Sequence, residues 1–180
     1  MTKRNYLMRG DVEEFKMRVF AISGYSGTGK TTLVEKIVKS LVASGHTVAT
    51  VKSSKHKAGP DQGTDTWRHL QAGSSMTIFL GPTTEQLSLK DLIGPDDLTE
   101  LSKYDYLIVE GLKSIDIPRI WCVGDAELIH DEIPFNTWGI VAWSDRAALP
   151  GLDLPVFHPD EIEKLIEIVK KRSVEISEIE

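Results

Sequence analysis

Nine consecutive residues constrain this chain more than any others: Gly24-Tyr25-Ser26-Gly27-Thr28-Gly29-Lys30-Thr31-Thr32. They match the pattern glycine, any four residues, glycine, lysine, serine or threonine, in which backbone N–H groups wrap around a polyphosphate. Such a loop has to be held between a strand and a helix, and the flanking sequence supplies both. Met17 to Ser23 is a short, mostly apolar run suited to a strand covered on both faces. Beyond the loop, Leu33, Ile37 and Leu41 recur every four residues with Val34, Val38 and Val42 beside them, while Glu35, Lys36 and Lys39 fall on the other face. Gly45 then ends the helix by accepting a left-handed turn.

The chemistry follows from that arrangement. Glycines let successive N–H groups approach phosphate oxygens without a Cβ in the way, and the helix adds its positive end at the same spot. The phosphate-binding set is Ser26, Gly27, Thr28, Gly29, Lys30, Thr31 and Thr32. Lys30 is placed to reach the β- and γ-phosphates and acts on them in catalysis, and the Thr31 hydroxyl is placed to bind Mg²⁺.

At 180 residues the chain reads as a single nucleotide-binding domain over 1–180, with a polar N-terminal extension at 1–16. It carries no apolar stretch of membrane-spanning length and no secretory signal at its start, so a cytoplasmic protein without membrane contact is expected. Cys122, the one cysteine, lies in the apolar run Ile120-Trp121-Cys122-Val123 and reads as a core residue. A net charge of -6 argues against nucleic-acid binding. Lys52, Lys55, His56, Lys57, Arg68 and His69 nevertheless form a local basic segment. It is either a flank for the γ-phosphate or an anionic pterin, or a solvated loop and helix face. His56 and His69 make a poor zinc site, since no cysteine or clear third ligand accompanies them.

Further strands are expected at His46–Val51, Ser75–Leu80, Tyr106–Val109, Pro118–Val123, Trp138–Trp143 and Pro155–Phe157. The polar stretch from Ser53 to Gly63 reads as a loop, and a short helix over Thr64–Ala72 would carry Thr64 as N-cap and Asp65 in its first turn. Asp97 with Glu100 forms a candidate capping pair after the break at Gly94-Pro95, and Ala126 to His130 reads as a helical turn. Ile162, Leu165, Ile166 and Val169 mark a closing helix, with the pattern loosening so that 174–180 is expected to fray. Strands alternating with helices after a phosphate loop imply an α/β three-layer sandwich with a mainly parallel sheet and helices on both faces. In such sheets the carboxyl ends of the strands line the ligand crevice. Glu110, directly after an apolar strand and before Gly111, would there act on a metal's water shell or orient an attacking water.

These motifs resemble one family. The phosphate loop, the segment Gly63-Thr64-Asp65-Thr66-Trp67-Arg68-His69-Leu70-Gln71-Ala72-Gly73, and Val109-Glu110-Gly111-Leu112-Lys113 with Pro118-Arg119-Ile120 together resemble MobB, molybdopterin-guanine dinucleotide biosynthesis protein B. The resemblance implies a P-loop NTPase fold and a GTP-binding accessory protein with weak GTPase activity in molybdenum cofactor biosynthesis. It further implies a homodimer that serves the partner attaching GMP to molybdopterin, with molybdopterin or its guanine dinucleotide as ligand, and GTP and Mg²⁺ as cofactors. Mg²⁺ would be held by Thr31, Asp65 and Glu110. The sequence departs from the family pattern where Lys52-Ser53-Ser54-Lys55-His56-Lys57 replaces a histidine-rich stretch and Gln62-Gly63-Thr64-Asp65 lacks a lysine. Two other readings are an ATP-dependent small-molecule kinase or ligase related to dethiobiotin synthetase, and a metal-insertion GTPase, although the His and Cys clusters of the latter are missing.

Ser102-Lys103-Tyr104-Asp105 imitates a guanine-reading element but precedes a strand, which puts it at the wrong end of the sheet. Trp143-Ser144-Asp145 follows an apolar strand at the correct end, so Asp145 is the candidate guanine reader.

Overall fold

Residues alternating between two apolar faces make a strand that helices can cover on both sides, and β1 (Arg18–Gly24) is buried from Val19 to Gly24. The structure is a computed structural model and describes residues 16–54, 63–81, 88–124, 133–143 and 153–179. After β1 come α1 (Lys30–Ala43), β2 (Val48–Ser53), α2 (Asp65–Gln71), β3 (Met76–Leu80), α3 (Leu89–Ile93), α4 (Pro95–Leu101) and β4 (Tyr106–Glu110). Then follow β5 (Arg119–Val123), β6 (Thr137–Ala142), β7 (Val156–Phe157), α5 (Ile162–Arg172) and β8 (Val174–Glu175).

The sheet order is β3-β2-β4-β1-β5-β6-β7, and every neighbouring pair on that path is parallel. Both β4 and β5 flank β1, so the β1–α1 loop leaves the sheet between two carboxyl-terminal strand ends. That is the place where an α/β sheet opens a crevice.

Helices cover both faces. Phe20, Ile22, Ile108, Ile120 and Cys122 point to one side and pack with Leu33, Val34, Ile37 and Leu41 of α1 and Leu165, Ile166 and Val169 of α5. Val19, Ala21, Ala49, Val51, Leu107 and Val109 point to the other side, against Leu89 and Ile93 of α3 and Leu101 of α4. The expected three-layer α/β sandwich with a mainly parallel sheet is therefore what the chain forms.

Three local expectations differ. The second strand starts later and runs on through Lys52 and Ser53, because the ladders to β3 and β4 continue there. Asp97 and Glu100 lie inside α4, whose start is set by Gly94 and Pro95. The capping box forms instead between Ser88 and Asp91 at the head of α3. Residues 174–179 do not fray: Val174 and Glu175 pair antiparallel with Val19 and Arg18, and Ile176 and Ile179 are buried against Met17. A two-residue strand and a turn of 3-10 helix at Ile176–Glu178 are too short to show a period, so the apolar residues looked scattered. The helical turn expected over 126–130 and most of the polar extension lie outside the described residues.

Candidate functional site

The loop between β1 and α1 takes the conformation its glycines allow. Gly27 and Gly29 have φ of 78° and 77°, the left-handed region that side chains disfavour. Gly29 is the N-cap of α1 and offers no side-chain oxygen to the first-turn N–H groups. Helical N–H groups without a cap are available to an anion. Thr28 Oγ1 donates to the Tyr25 carbonyl at 2.9 Å, closing the loop on itself, and the Lys30 ammonium donates to the same carbonyl. Lys30 is half-buried, and burial lowers its pKa while the charge of Glu110 pulls it back up.

Glu110 stands beside this loop. Parallel registers put Ile22 and Lys52 opposite it on the two neighbouring strands. Because alternate residues share a face, Lys52 and Glu110 both point toward the α1–α2 side. There the carboxylate, with no solvent exposure, accepts from the Thr31 hydroxyl at 2.8 Å, from Nε2 of His69 at 2.8 Å and from the Lys52 ammonium. Burial alone pushes the Glu110 carboxyl up, but the His69 hydrogen bond and the Lys52 charge outweigh it and bring its pKa down to about 2. It is an ionised oxygen donor throughout the physiological range.

Helix α2 completes the cluster. Thr64 caps it, accepting from the Trp67 N–H at 3.4 Å. Asp65 and His69, four residues apart, lie on one face. Asp65 pairs with Lys52 at 2.6 Å, while His69 reaches Glu110 and sets its Nδ1 3.1 Å from the Thr50 hydroxyl. Arg68 turns toward α1, donating to Glu35 at 2.6 and 3.2 Å and to the Thr32 hydroxyl at 3.2 Å. The hydrogen bond that Arg68 donates to Glu35 raises the Arg68 pKa.

Of the sequence-derived candidates, Lys30, Thr31, Asp65 and Glu110 thus gather at one sheet edge with the glycine loop. Asp145, Lys55, His56 and Lys57 lie outside the described residues. The described members of the basic segment are not a solvated face: Lys52 is 8% exposed and His69 has no exposure. Their partnership with Glu110 escaped the sequence reading, although two signals were present. Lys52 directly follows a β-branched, largely apolar run much as Glu110 does, and His69 follows Asp65 at helical spacing.

Two further residues were missed. Arg119, 1% exposed, donates to the Lys113 carbonyl at 3.0 Å, to Asn136 Oδ1 at 2.9 Å, to the Ser23 hydroxyl at 3.3 Å and to the Ile115 carbonyl. It thereby ties down the chain segment that follows Glu110. Trp143 donates through Nε1 to the Thr28 carbonyl at 3.0 Å. A charged residue alternating with apolar ones in Pro118-Arg119-Ile120 was the only hint of the first.

Hard oxygen donors, two of them carboxylates held close together by a lysine, suit Mg²⁺ rather than a soft metal. The residues present therefore fit the ion that a phosphate loop implies.

A parallel sheet with helices on both faces and a Gly-x-x-x-x-Gly-Lys-Thr loop between its first strand and helix defines a P-loop NTPase fold. Within that class the chain belongs to the MobB family: the model of molybdopterin guanine dinucleotide synthesis protein B matches residues 19–142. The chain is 38% identical over 111 residues to the molybdopterin-guanine dinucleotide biosynthesis adapter protein of Haemophilus influenzae, covering 57% of this chain and 61% of that protein. It is 35% identical over 130 residues to a putative adapter protein of the same name from Methanocaldococcus jannaschii, covering 64% and 52% respectively. The chain thus spans between half and two thirds of the length of these relatives. The crystal structure of a MobB homologue from Bacillus stearothermophilus superposes with a TM-score of 0.55 at 27% identity, covering 87% of this chain and all of that one.

Proposed function

We propose that this chain binds GTP with Mg²⁺ and works as an adapter with slow GTPase activity in molybdopterin guanine dinucleotide biosynthesis. The observation that carries the reading is the 2.8 Å hydrogen bond joining Thr31 of the glycine loop to a buried, ionised Glu110. The loop N–H groups and Lys30 would hold the phosphates. Thr31, Asp65 and Glu110 would hold Mg²⁺, which supplies neutralisation of the phosphate charge. Lys52 and His69 keep the Glu110 carboxylate oriented and charged, and Glu110 would orient the attacking water. Family membership supports the pathway. The GMP-attaching enzyme and molybdopterin as partners, a homodimeric state, a cytoplasmic location and Asp145 as guanine reader belong to the same proposal.

Calorimetric titration with Mg²⁺ and non-hydrolysable GTP, then ATP, then molybdopterin tests it. GTP preferred over ATP with pterin bound supports the adapter reading. Preference for ATP without pterin binding overturns it in favour of a metabolite kinase. Lys30→Ala is expected to abolish nucleotide binding with the thermal midpoint little changed. Glu110→Gln is expected to slow hydrolysis more than it weakens binding; equal losses would remove Glu110 from the chemistry.

A further inference from the structure

Trp143 sits at the carboxyl end of β6, on the flank of the loop away from Glu110. Its ring is held at two points. The indole N–H is anchored on the Thr28 carbonyl at 3.0 Å. The ring also packs so closely on Gly29 that a Cβ there would run into the indole atoms Nε1, Cε2 and Cζ2. Gly29 is thus required twice, by its positive φ and by the tryptophan. Despite these anchors the side chain is 37% exposed, and the Lys36 ammonium lies 5.5 Å from its ring centre.

An indole used only as a plug would bury itself. This one is rigid, planar, partly solvent-facing and fixed directly beside a polyphosphate-binding loop, which is what a flat heterocycle needs for stacking at little entropic cost. The two flanks of the loop divide the ends of a nucleotide between them. The β4 side carries Thr31, Lys52, Asp65, His69 and Glu110, all charged or polar and suited to phosphate and metal. The β6 side carries an apolar ring suited to a base.

We propose that Trp143 is the stacking platform for the purine base of the bound nucleotide, adding affinity for guanine and adenine alike because both present a π-face. This rests on the nucleotide-binding reading above. The choice between guanine and adenine then lies with hydrogen-bonding groups rather than with the ring.

The test compares the affinities of wild type, Trp143→Phe and Trp143→Ala for GTP, ATP and inorganic tripolyphosphate, each with Mg²⁺, alongside intrinsic fluorescence. Trp143→Ala is expected to weaken GTP and ATP by about tenfold or more and to leave tripolyphosphate within about twofold. Trp143→Phe keeps most of the GTP affinity. GTP, but not tripolyphosphate, quenches wild-type fluorescence, and the quench disappears in Trp143→Phe. Equal losses for all three ligands in Trp143→Ala would overturn the inference by making Trp143 a prop for the loop, and no loss for any would overturn it outright. A wild type that binds tripolyphosphate as tightly as GTP removes the platform but keeps the phosphate loop. A wild type that binds neither removes both.

Discussion

Glu110 and Cys122 sit on the two strands that flank β1, both without solvent exposure, and their acidities are displaced in opposite directions. The carboxyl is brought down to about 2 and the thiol is pushed up to about 12. Burial acts the same way on each, opposing the anion. What differs is the company. Glu110 has Lys52, His69 and Thr31 as hydrogen-bond donors, whereas Cys122 lies in the apolar cluster with Phe20, Ile22 and Ile120 and feels Lys30 only through its charge. A buried titratable group becomes usable at neutral pH only when its neighbours stabilise the charged form. The same sheet edge therefore has a charged flank and an inert one.

The sharpest way to break this contrast is to remove the carboxylate. Glu110→Ala leaves buried His69 Nε2 without its acceptor and Lys52 with Asp65 as its remaining carboxylate partner, and a loss of about 3–5 kcal/mol in urea unfolding is expected. A cost below about 1 kcal/mol would mean that the cluster is solvated and the contrast false. Acid titration is next. A carboxyl depressed from the ordinary 4.5 to about 2 stabilises the fold above about pH 4.5, and that stabilisation is lost as the pH falls toward 2. The interval corresponds to on the order of 3 kcal/mol. Glu110→Gln should flatten the stability profile over that range; an unchanged profile would assign the acid limb to other groups.

The loop and the β6 side of it are probed through two glycines. Gly29→Ala meets the Trp143 ring as well as a φ of 77°, while Gly27→Ala, at φ 78°, has nothing within 4 Å. The first should cost roughly 2–3 kcal/mol and the second about 1 kcal/mol by thermal or urea unfolding. Adding Trp143→Ala should bring the two costs together, and a persistent gap would show that something other than the ring crowds Gly29. The smallest effect belongs to the thiol. Cys122→Ala is expected to cost about 1 kcal/mol and to leave GTP affinity unchanged. Native Cys122 should resist a thiol reagent at pH 8 until the protein unfolds, and rapid labelling of the folded protein would contradict its burial.

By itself the sequence determined the layered α/β fold, the phosphate loop and its helix, the Thr64 cap, and the placing of Thr31, Asp65 and Glu110 at one edge. Each of those is written in local order: a motif, a helical period, a capping residue, an acid closing an apolar strand. Tertiary structure decided the rest. The pairing of Lys52 with Glu110 depends on β2 and β4 being neighbours in a given register, although 58 positions separate the two residues. His69 reaches the same carboxylate only because α2 packs over that part of the sheet. Arg119 finds acceptors from Ser23 to Asn136, and Trp143 finds Gly29 across more than a hundred residues. Local periodicity reports which face a residue is on, but not which distant chain meets that face. That is why the residues gathered beside the glycine loop were legible and the buried partners that set the charge and orientation of Glu110 were not.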